Sequence, residues 1–325
     1  MVFIFISVLS LGYLFLNPAF NYLSGYLSKS EQVKANILVV EGWLPIDVIE
    51  IAYDEFLKNE YEYIVTTGLK ISTEYYELSS KGFLIFHSKN RFSQIVDKGP
   101  HSIEIYAFSK PSMDNHAYFK LFMNDSLVAD FYPEERTKKY RISWNGSLNK
   151  IDSIMVFLRN DKGGIGDQNL YVKEITIDNR ITIPYLNNSE FDITKPQRKL
   201  RIINNYISNA GLARNILMSM GIDSTQIIAT SGERVKINRT LTSALAFGEW
   251  IKTTNINIKG INVISMGTHA RRTWMTYNKV LNEKYKIGII SIPDSLDNHP
   301  EESKVLKTVR ETLGIIYYWF ILIPY

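Results

Sequence analysis

The hydrophobic positions of this chain follow two different periods. Five short, β-branched runs without polar alternation lie at residues 37–40, 63–65, 226–229, 261–264 and 286–292. Such runs are typical of parallel strands buried on both faces of a sheet, and the segments between them have helical periods. Right-handed crossovers would give an α/β fold with a doubly wound, mostly parallel, Rossmann-like sheet. We predict this α/β domain at residues 35–72 and 194–325.

Between residues 72 and 196 the pattern changes to period-two alternation, with Asn, Asp and Gly at the turns. This period predicts antiparallel strands, and about six such strands favour a β-sandwich. Asn124-Asp125 between two apolar strands is a good hairpin signal. We therefore predict an antiparallel β-sandwich domain at residues 80–185, inserted between the second and third strands of the α/β domain. Such insertions are tolerated because the termini of a domain commonly lie close together.

The N-terminal segment is apolar, and residues 2–16 carry no charge. Extended to residue 20, it would span about 28 Å as a helix, close to the roughly 30 Å hydrocarbon core of a bilayer. No A-x-A cleavage site follows, so an N-terminal transmembrane helix at residues 1–24 is favoured over a removed signal peptide. A buried helix is less favoured because no polar face is present. The apolar end at residues 314–325 is too short to span; it predicts a core element or a segment on the membrane surface.

Polar residues and glycines cluster directly after the predicted strands of the α/β domain. The carboxyl ends of parallel strands meet at the edge of an open α/β sheet where ligands bind, so we expect one site there. The strand at 261–264 leads into a predicted helix start at Thr268, whose first N–H groups would favour an anion. His269 and two arginines suit a phosphate, a carboxylate or a nucleotide. The predicted ligand-binding residues are Gly42, Thr67, Gly68, Asn238, Arg239, Thr240, Ser265, Gly267, Arg271 and Arg272.

This cluster also has structural interpretations. Arginines can coat a solvated helix start, although cations are electrostatically unfavourable at a helix N-terminus. Glycines after strands also serve as plain turn residues. In the functional interpretation, His269 and Glu41 are the catalytic candidates, because a histidine titrates near neutral pH and a half-buried glutamate can be tuned towards it.

Composition narrows the classes of function. The 325 residues include 37 basic and 33 acidic side chains, for a net charge of +4. This balance, with no dense Lys/Arg run, gives no reason to expect a nucleic acid as partner. The absence of cysteine excludes disulfides, thiolate zinc sites and cysteine nucleophiles. The sequence also lacks the zinc-protease, Walker A, nucleophile-elbow and G-x-G-x-x-G motifs.

Within the predicted insert, residues 157–172 read FLRNDKGGIGDQNLYV. Asp161 and Asp167 flank a glycine-rich loop, and two carboxylates with bent backbone carbonyls supply the oxygen ligands that calcium takes. The spacing differs from that of an EF-hand. The residues alone leave two alternatives open: a calcium site, or a hairpin loop whose aspartates cap turns.

The same run resembles the signature of calcium-dependent xylan-binding carbohydrate-binding modules, which are small β-sandwiches. The matching residues are Asn160, Asp161, Asp167, Asn169, Leu170, Tyr171 and Val172. Gln168 stands where the family usually has arginine. The resemblance, which extends from about residue 83 to 184, implies Ca²⁺ bound by Asp161 and Asp167 and a polysaccharide or glycan ligand.

The flanking α/β segments resemble the SanA/YdcF/ElyC-like envelope proteins. The motifs that carry this resemblance lie at residues 37–45, 64–68, 238–251 and 263–277. Ser265, His269 and Arg272 fit the family's strand followed by S-x-x-H-x-x-R, with one extra residue between serine and histidine. The first strand ends in Glu41-Gly42 where the family usually has Gly-Gly. The resemblance implies a Rossmann-like domain, often anchored by one N-terminal helix and linked to envelope integrity and peptidoglycan or lipid-carrier metabolism.

Together these patterns predict a membrane-anchored protein of the cell envelope, with the bulk of the chain outside the cytoplasm. Its α/β domain would bind an anionic, phosphate- or nucleotide-bearing ligand, and its insert would bind a glycan through calcium. The chain could be an enzyme of envelope polysaccharide or peptidoglycan precursor metabolism. The alternative is a non-catalytic glycan-binding sensor. A nucleotide-dependent methyltransferase-like enzyme ranks third, because the predicted anchor and the absence of the glycine motif both argue against it.

Overall fold

The computed structural model describes the chain from residue 18 onward, except residues 19, 73, 79–81, 89–91, 93–96, 98, 110–116, 160–168, 185–190, 195–201, 205, 283 and 295–303. The chain forms two compact units. Residues 70–208 form the inserted unit, and the segments up to Leu69 and from Asn209 to Tyr325 form the α/β unit.

The described strands, in chain order, are β1 (Ile37–Glu41), β2 (Tyr63–Leu69), β3 (Tyr76–Leu78), β4 (Phe83–His87), β5 (His101–Ser109), β6 (Phe119–Met123), β7 (Ser126–Phe131), β8 (Lys138–Trp144), β9 (Ser153–Leu158), β10 (Leu170–Ile177), β11 (Ile181–Pro184), β12 (Phe191–Thr194), β13 (Ile202–Asn204), β14 (Ile227–Gly232), β15 (Ile261–Met266) and β16 (Ile287–Ile292). The helices are α1 (Ile46–Lys58), α2 (Asn209–Ser219), α3 (Arg239–Thr253), α4 (Ala270–Val280) and α5 (Lys304–Ile321). Residues 20–27 are also helical.

The α/β unit contains a five-stranded sheet in the order β14-β2-β1-β15-β16, with every neighbouring pair parallel. The predicted parallel sheet is thereby confirmed. From the central β1 the chain moves outward through β2 and β14, then returns to the other side of β1 with β15 and β16. The strand order therefore reverses between β1 and β15, and in open α/β sheets the crevice at that point, outside the carboxyl ends, is where ligands bind.

Burial on both faces explains the composition of these strands. Every residue of β1 and every residue of β15 is buried. Phe247 of α3 and Tyr277 of α4 belong to the same hydrophobic cluster as Val39 and Val263 of these two strands. Because both faces are covered, β-branched residues occupy consecutive positions instead of alternating ones.

Two glycines allow helix α2 to approach the sheet closely. A Cβ atom added to Gly42 would lie 2.2 Å from the backbone oxygen of Asn209, and one added to Gly68 would lie 2.8 Å from the backbone nitrogen of Ala210. Both positions therefore require glycine for packing against the start of α2. This is a structural explanation for two residues that the sequence predicts to bind a ligand.

The inserted unit contains two antiparallel sheets. One has the order β11-β10-β5-β8, with β3 also paired to β10, and the other has the order β13-β12-β4-β9-β6-β7. The predicted β6–β7 hairpin is confirmed, and its turn residues Asn124 and Asp125 have φ of 49° and 63°. Phe119 of one sheet lies edge-on to Tyr140 of the other, with ring centroids 5.4 Å apart.

The two ends of the inserted unit are held together. Lys70 and Ser208 form a β-bridge, and the Ile71 N–H donates to the Ile207 carbonyl at 3.0 Å. Entry and exit of this unit are therefore neighbours.

In the described part of the chain, no helix is long and apolar enough to cross a membrane. Of the transmembrane helix predicted at residues 1–24, residues 1–17 and 19 lie outside the described residues.

We predict that Gly42→Ala destabilises the protein. The added methyl group would overlap the Asn209 carbonyl, and overpacking of this kind typically costs about 1–3 kcal/mol. The midpoint of urea unfolding, followed by circular dichroism, should fall. Gly25→Ala is the matched control, because a Cβ atom there meets nothing within 4 Å. Equal midpoints for the two variants would contradict the packing role of Gly42.

Candidate functional site

Segments that follow β1, β14 and β15 meet at His269. The Trp43 ring, two residues after β1, lies edge-on to the imidazole with ring centroids 5.2 Å apart. Thr240, at the start of α3, places Oγ1 3.4 Å from His269 Nε2. His269 itself ends the 3-10 turn that follows β15, and α4 begins at Ala270. Three of the predicted polar clusters thus come together at the crevice where the strand order reverses.

Arg272 and Glu311 hold the other side of the imidazole. Arg272 Nε and one terminal nitrogen donate to the Glu311 carboxylate at 3.0 and 3.2 Å. His269 Nδ1 lies 2.7 Å from Arg272 and 3.3 Å from Glu311. The shorter contact requires an unprotonated Nδ1, because an arginine only donates; the longer one requires Nδ1–H. Either arrangement of the hydrogen fixes the ring between α4 and α5.

The charges around Glu311 change its titration. Burial raises the pKa of this carboxyl group, but the hydrogen bond and charge of His269 and the charge of Arg272 outweigh burial and lower the pKa to about 2. Glu311 is therefore ionised at every pH at which the protein would act. Its carboxylate balances the cationic groups on α4.

Glu41 forms a second polar cluster beneath the same crevice. Its carboxylate Oε2 accepts hydrogen bonds from Ser265 Oγ at 2.7 Å and from Thr273 Oγ1 at 3.2 Å. Glu41 is only 1% exposed, whereas the sequence predicted a half-buried position. Burial, together with the nearby Glu41 carboxylate, raises the pKa of Tyr277 above its usual range. The Tyr277 hydroxyl lies 2.9 Å from Thr67 Oγ1, so Thr67 belongs to this buried network.

The turn after β15 depends on Asp294. Gly267 has φ of 43°, and a Cβ atom on it would lie 2.1 Å from the Asp294 carboxylate. The Thr268 N–H donates to this carboxylate at 3.4 Å, and Lys307 Nζ donates to it at 2.7 Å. The N–H group that the sequence predicted to be available for an anion therefore has a partner within the protein.

Two polar atoms beside the crevice lack such partners. The Thr268 hydroxyl and the Asn238 side-chain oxygen are buried and have no hydrogen-bond partner among the described residues. Thr268 as a whole is 2% exposed, and Asn238 adopts a left-handed backbone with φ of 59° just before α3. Buried polar atoms are nearly always hydrogen-bonded, so each of these two atoms could form one further hydrogen bond.

The three predicted arginines have different surroundings. Arg272 is paired with Glu311. The Arg271 guanidinium lies 3.6 Å from the centre of the Tyr26 ring, and its Nε donates to the Tyr26 carbonyl. Arg271 and Arg272 therefore each have a different partner within the protein. Arg239, the first residue of α3, is exposed, and its guanidinium forms no hydrogen bond or ion pair with another described residue.

The predicted metal ligands Asp161 and Asp167 lie outside the described residues. Next to that loop, the Glu77 carboxylate accepts hydrogen bonds from Asn169 Nδ2 at 2.6 Å and from the Tyr171 hydroxyl at 3.2 Å. Burial raises the pKa of Tyr171 above its usual range, and the Glu77 charge adds to this effect. Among the residues that can be described, no group of three or more His, Asp or Glu side chains is arranged to hold a metal.

Sequence reasoning missed three residues at these sites. Trp43 directly follows Glu41-Gly42, so its place after a strand was a usable signal. Glu311 is the one acidic residue of α5 and is followed only by uncharged residues. A single acidic residue before an apolar run is only a weak signal for a buried ion pair. Glu77 gave no signal, because its neighbours in the folded chain are distant in sequence.

No family model matches the chain, and no curated protein matches it. Solved structures that align with it include the carbohydrate-binding module CBM36 in complex with calcium and xylotriose, at 18% identity and a TM-score of 0.25, covering 34% of this chain and 87% of that one. The calcium-dependent module vCBM60 aligns at 15% identity and a TM-score of 0.23, covering 34% and 92%. A family two carbohydrate esterase from Clostridium thermocellum aligns at 9% identity and a TM-score of 0.23, covering 78% and 97%. All these TM-scores lie far below 0.5, so the alignments assign neither a family nor a ligand.

We predict that acid stability depends on Glu311. Its pKa is about 2 in the folded chain against 4.5 for the free group. Its contribution is therefore complete above pH 4.5 and is lost as the pH falls towards 2; a difference of this size is worth roughly 3 kcal/mol. In Glu311→Gln, urea midpoints should fall at neutral pH and change less between pH 5 and pH 2.

Glu249→Gln is the matched control. Glu249 is an exposed glutamate paired with Lys252, so its replacement should leave the acid profile close to that of the unaltered chain. Parallel profiles for Glu311→Gln and the unaltered chain would contradict the role of the Glu311 ion pair.

Proposed function

We propose that the α/β unit binds an anionic, phosphate- or nucleotide-bearing ligand in the crevice at His269, in a membrane-anchored protein of the cell envelope. The observation that carries this proposal is the convergence of Trp43, Thr240 and His269 where the strand order reverses. In open α/β sheets this is the expected place for a ligand.

Charge favours an anion as the ligand. Arg239 contributes an exposed guanidinium beside Thr240, at the N-terminus of a 15-residue helix whose dipole attracts negative charge. The unpartnered Thr268 hydroxyl can donate a hydrogen bond to an anion, whereas the unpartnered Asn238 oxygen only accepts and would suit a hydroxyl group of the ligand. A phosphate bound at Arg239 would use the Thr268 donor together with the guanidinium group.

The Trp43 side chain favours a ligand with a ring. It is 47% exposed although it lies only two residues after a buried strand. An exposed indole beside an anion-binding helix start can stack on a nucleotide base or a sugar. The ligand class that fits is therefore a nucleotide-linked or lipid-linked sugar phosphate, as in polysaccharide or peptidoglycan precursor metabolism.

In the enzymatic form of the proposal, His269 is the acid–base residue. Histidine exchanges protons nearest to neutral pH. In the arrangement with a hydrogen on Nδ1, Glu311 accepts from His269 as the third member of a catalytic triad accepts from its histidine. Glu41 is the second candidate, but it is buried and bonded to Ser265 and Thr273, which are themselves fully buried.

The alternative is a non-catalytic sensor that binds the same ligand. The observation that favours it is the closed set of contacts among His269, Arg272 and Glu311, which neutralises the charges on the ring side of the crevice. In this case the imidazole would serve as a wall of the site and would transfer no proton.

We further propose that the inserted unit binds a glycan through Ca²⁺. The support is the sequence run at residues 160–172, with Asp161 and Asp167 as ligands. Glu77 lies beside the end of that run and offers a third carboxylate, and calcium takes six to eight oxygen ligands. The insert would then hold the protein, or its substrate, at an envelope polysaccharide.

The anionic ligand is testable with pyrophosphate and a nucleoside diphosphate sugar as calorimetric probes. Arg239→Ala should weaken binding by about tenfold, which corresponds to roughly 1.4 kcal/mol. Lys252→Ala, with the same charge change in the last turn of α3, is the control and should bind normally.

The same titration separates the two forms of the proposal. If the site is catalytic, His269→Ala should still bind the nucleotide sugar but should no longer turn it over. Turnover is measured as the release of phosphate or nucleotide. In a sensor, the unaltered chain releases nothing. Equal affinity of Arg239→Ala and Lys252→Ala would overturn the anion site altogether.

Calcium binding is testable by titrating the full chain with CaCl2 and then with xylan and peptidoglycan fragments. Asp167→Asn should abolish the calcium signal, because the affinity of a calcium site depends on the number of charged ligands and this change removes one carboxylate. Asp130→Asn is the control, since Asp130 is an aspartate of β7 that pairs with Lys120. No calcium signal in the unaltered chain would refute the metal site; calcium binding without glycan binding would refute the glycan.

A further inference from the structure

Helix α5 exposes a stripe of large apolar side chains. Leu313 is 61% exposed, Ile316 is 51% exposed and Phe320 is 58% exposed. Val305, Leu306, Val309 and Tyr317 of α5 are exposed as well, and so is Ile323 just beyond the end of the helix. Contiguous exposed apolar surface of this kind usually marks an interaction site.

The opposite face of α5 is buried in the α/β unit. Thr308, Glu311, Tyr318 and Leu322 are at most 4% exposed and recur at helical spacing. Tyr318 and Leu322 pack against Leu241 of α3. The helix is therefore anchored through one face, and the apolar stripe lies on the face that the unit leaves uncovered.

The distribution of charge and aromatic rings favours lipid as the occupant of the stripe. All charged residues of α5 lie in its first half, and residues 312–325 contain none. Tyr317, Trp319 and Phe320 are all exposed in this uncharged half. Helices that lie in a membrane interface combine basic residues at headgroup level with exposed Trp and Phe in the apolar layer.

The position of α5 also agrees with a membrane. The helical residues 20–27 overlap the end of the transmembrane segment predicted at residues 1–24, and their Tyr22 is 79% exposed. Tyr26 of this segment stacks on Arg271, while the next residue, Arg272, pairs with Glu311 of α5. Two consecutive residues of α4 thus hold the chain that leaves the predicted anchor and the helix that carries the stripe.

We propose that the apolar face of α5 lies in the interfacial layer of the bilayer to which the N-terminal segment anchors the protein. This inference rests on the anchor in the proposed function. Glu311 contacts His269 from the buried face of the same helix. The crevice would therefore lie within about one helix diameter, roughly 10–12 Å, of the lipid surface. This is a suitable position for the phosphate of a lipid-linked ligand.

The absence of cysteine makes a site-specific test direct. Phe320→Cys in the full chain would carry a fluorophore, and the protein would be reconstituted into phosphatidylcholine–phosphatidylglycerol vesicles with a nitroxide near the headgroup. We expect the nitroxide lipid to quench the label by about half or more, because the interfacial layer surrounds it. Leu57→Cys is the matched control, since Leu57 of α1 is equally apolar, is 61% exposed and should not be quenched.

Flotation of the vesicles distinguishes a failure of the N-terminal anchor from a failure of the proposed role of α5. If the protein floats with the vesicles but Phe320→Cys is quenched no more than Leu57→Cys, the anchor stands and the interfacial role of α5 is overturned. If the protein does not float, the anchor fails and the inference fails with it. Excimer emission from pyrene at Phe320→Cys, without lipid quenching, would show that a second copy covers the stripe, which also overturns the proposal.

Discussion

A carboxylate buried at the centre of a parallel sheet has to find its hydrogen-bond donors inside the protein, because burial of an unpaired charge is too costly. Glu41 is in this position, and Ser265 and Thr273 supply the donors. These residues belong to β1, β15 and α4, the three elements that border the strand-order reversal. The hydrogen bonds of Glu41 therefore tie these three elements together close to the points where the segments that carry Trp43 and His269 leave the sheet.

The crevice is completed by the end of the chain. His269 receives its carboxylate from Glu311 of α5, and Asp294, which follows β16, holds the turn at Gly267. The geometry of the site therefore depends on the docking of α5 against α3 and α4. Any movement of this helix would also change the environment of the imidazole, because Glu311 on the buried face of α5 contacts His269.

The parallel sheet could be predicted from the sequence because burial on both faces leaves a simple signal, a β-branched run without alternation. The Asn124-Asp125 hairpin was predictable because its turn needs residues that tolerate positive φ. The partners of Arg271 and Arg272 were not predictable, because Tyr26 and Glu311 are distant in sequence and no local period reveals which helices pack together. The packing role of Gly42 and Gly68 was not predictable for the same reason, because the close approach of α2 is a tertiary contact.

The contact between Lys70 and Ser208 has a consequence for folding. Strands β2 and β14 are neighbours in the parallel sheet although residues 70–208 separate them in the chain. The entropic cost of closing a loop grows with the length of flexible chain. Once the inserted unit has folded and joined its own ends, the effective loop between β2 and β14 is short. Strands β14, β15 and β16 can therefore join β1 and β2 with little extra entropic cost from the length of the insert.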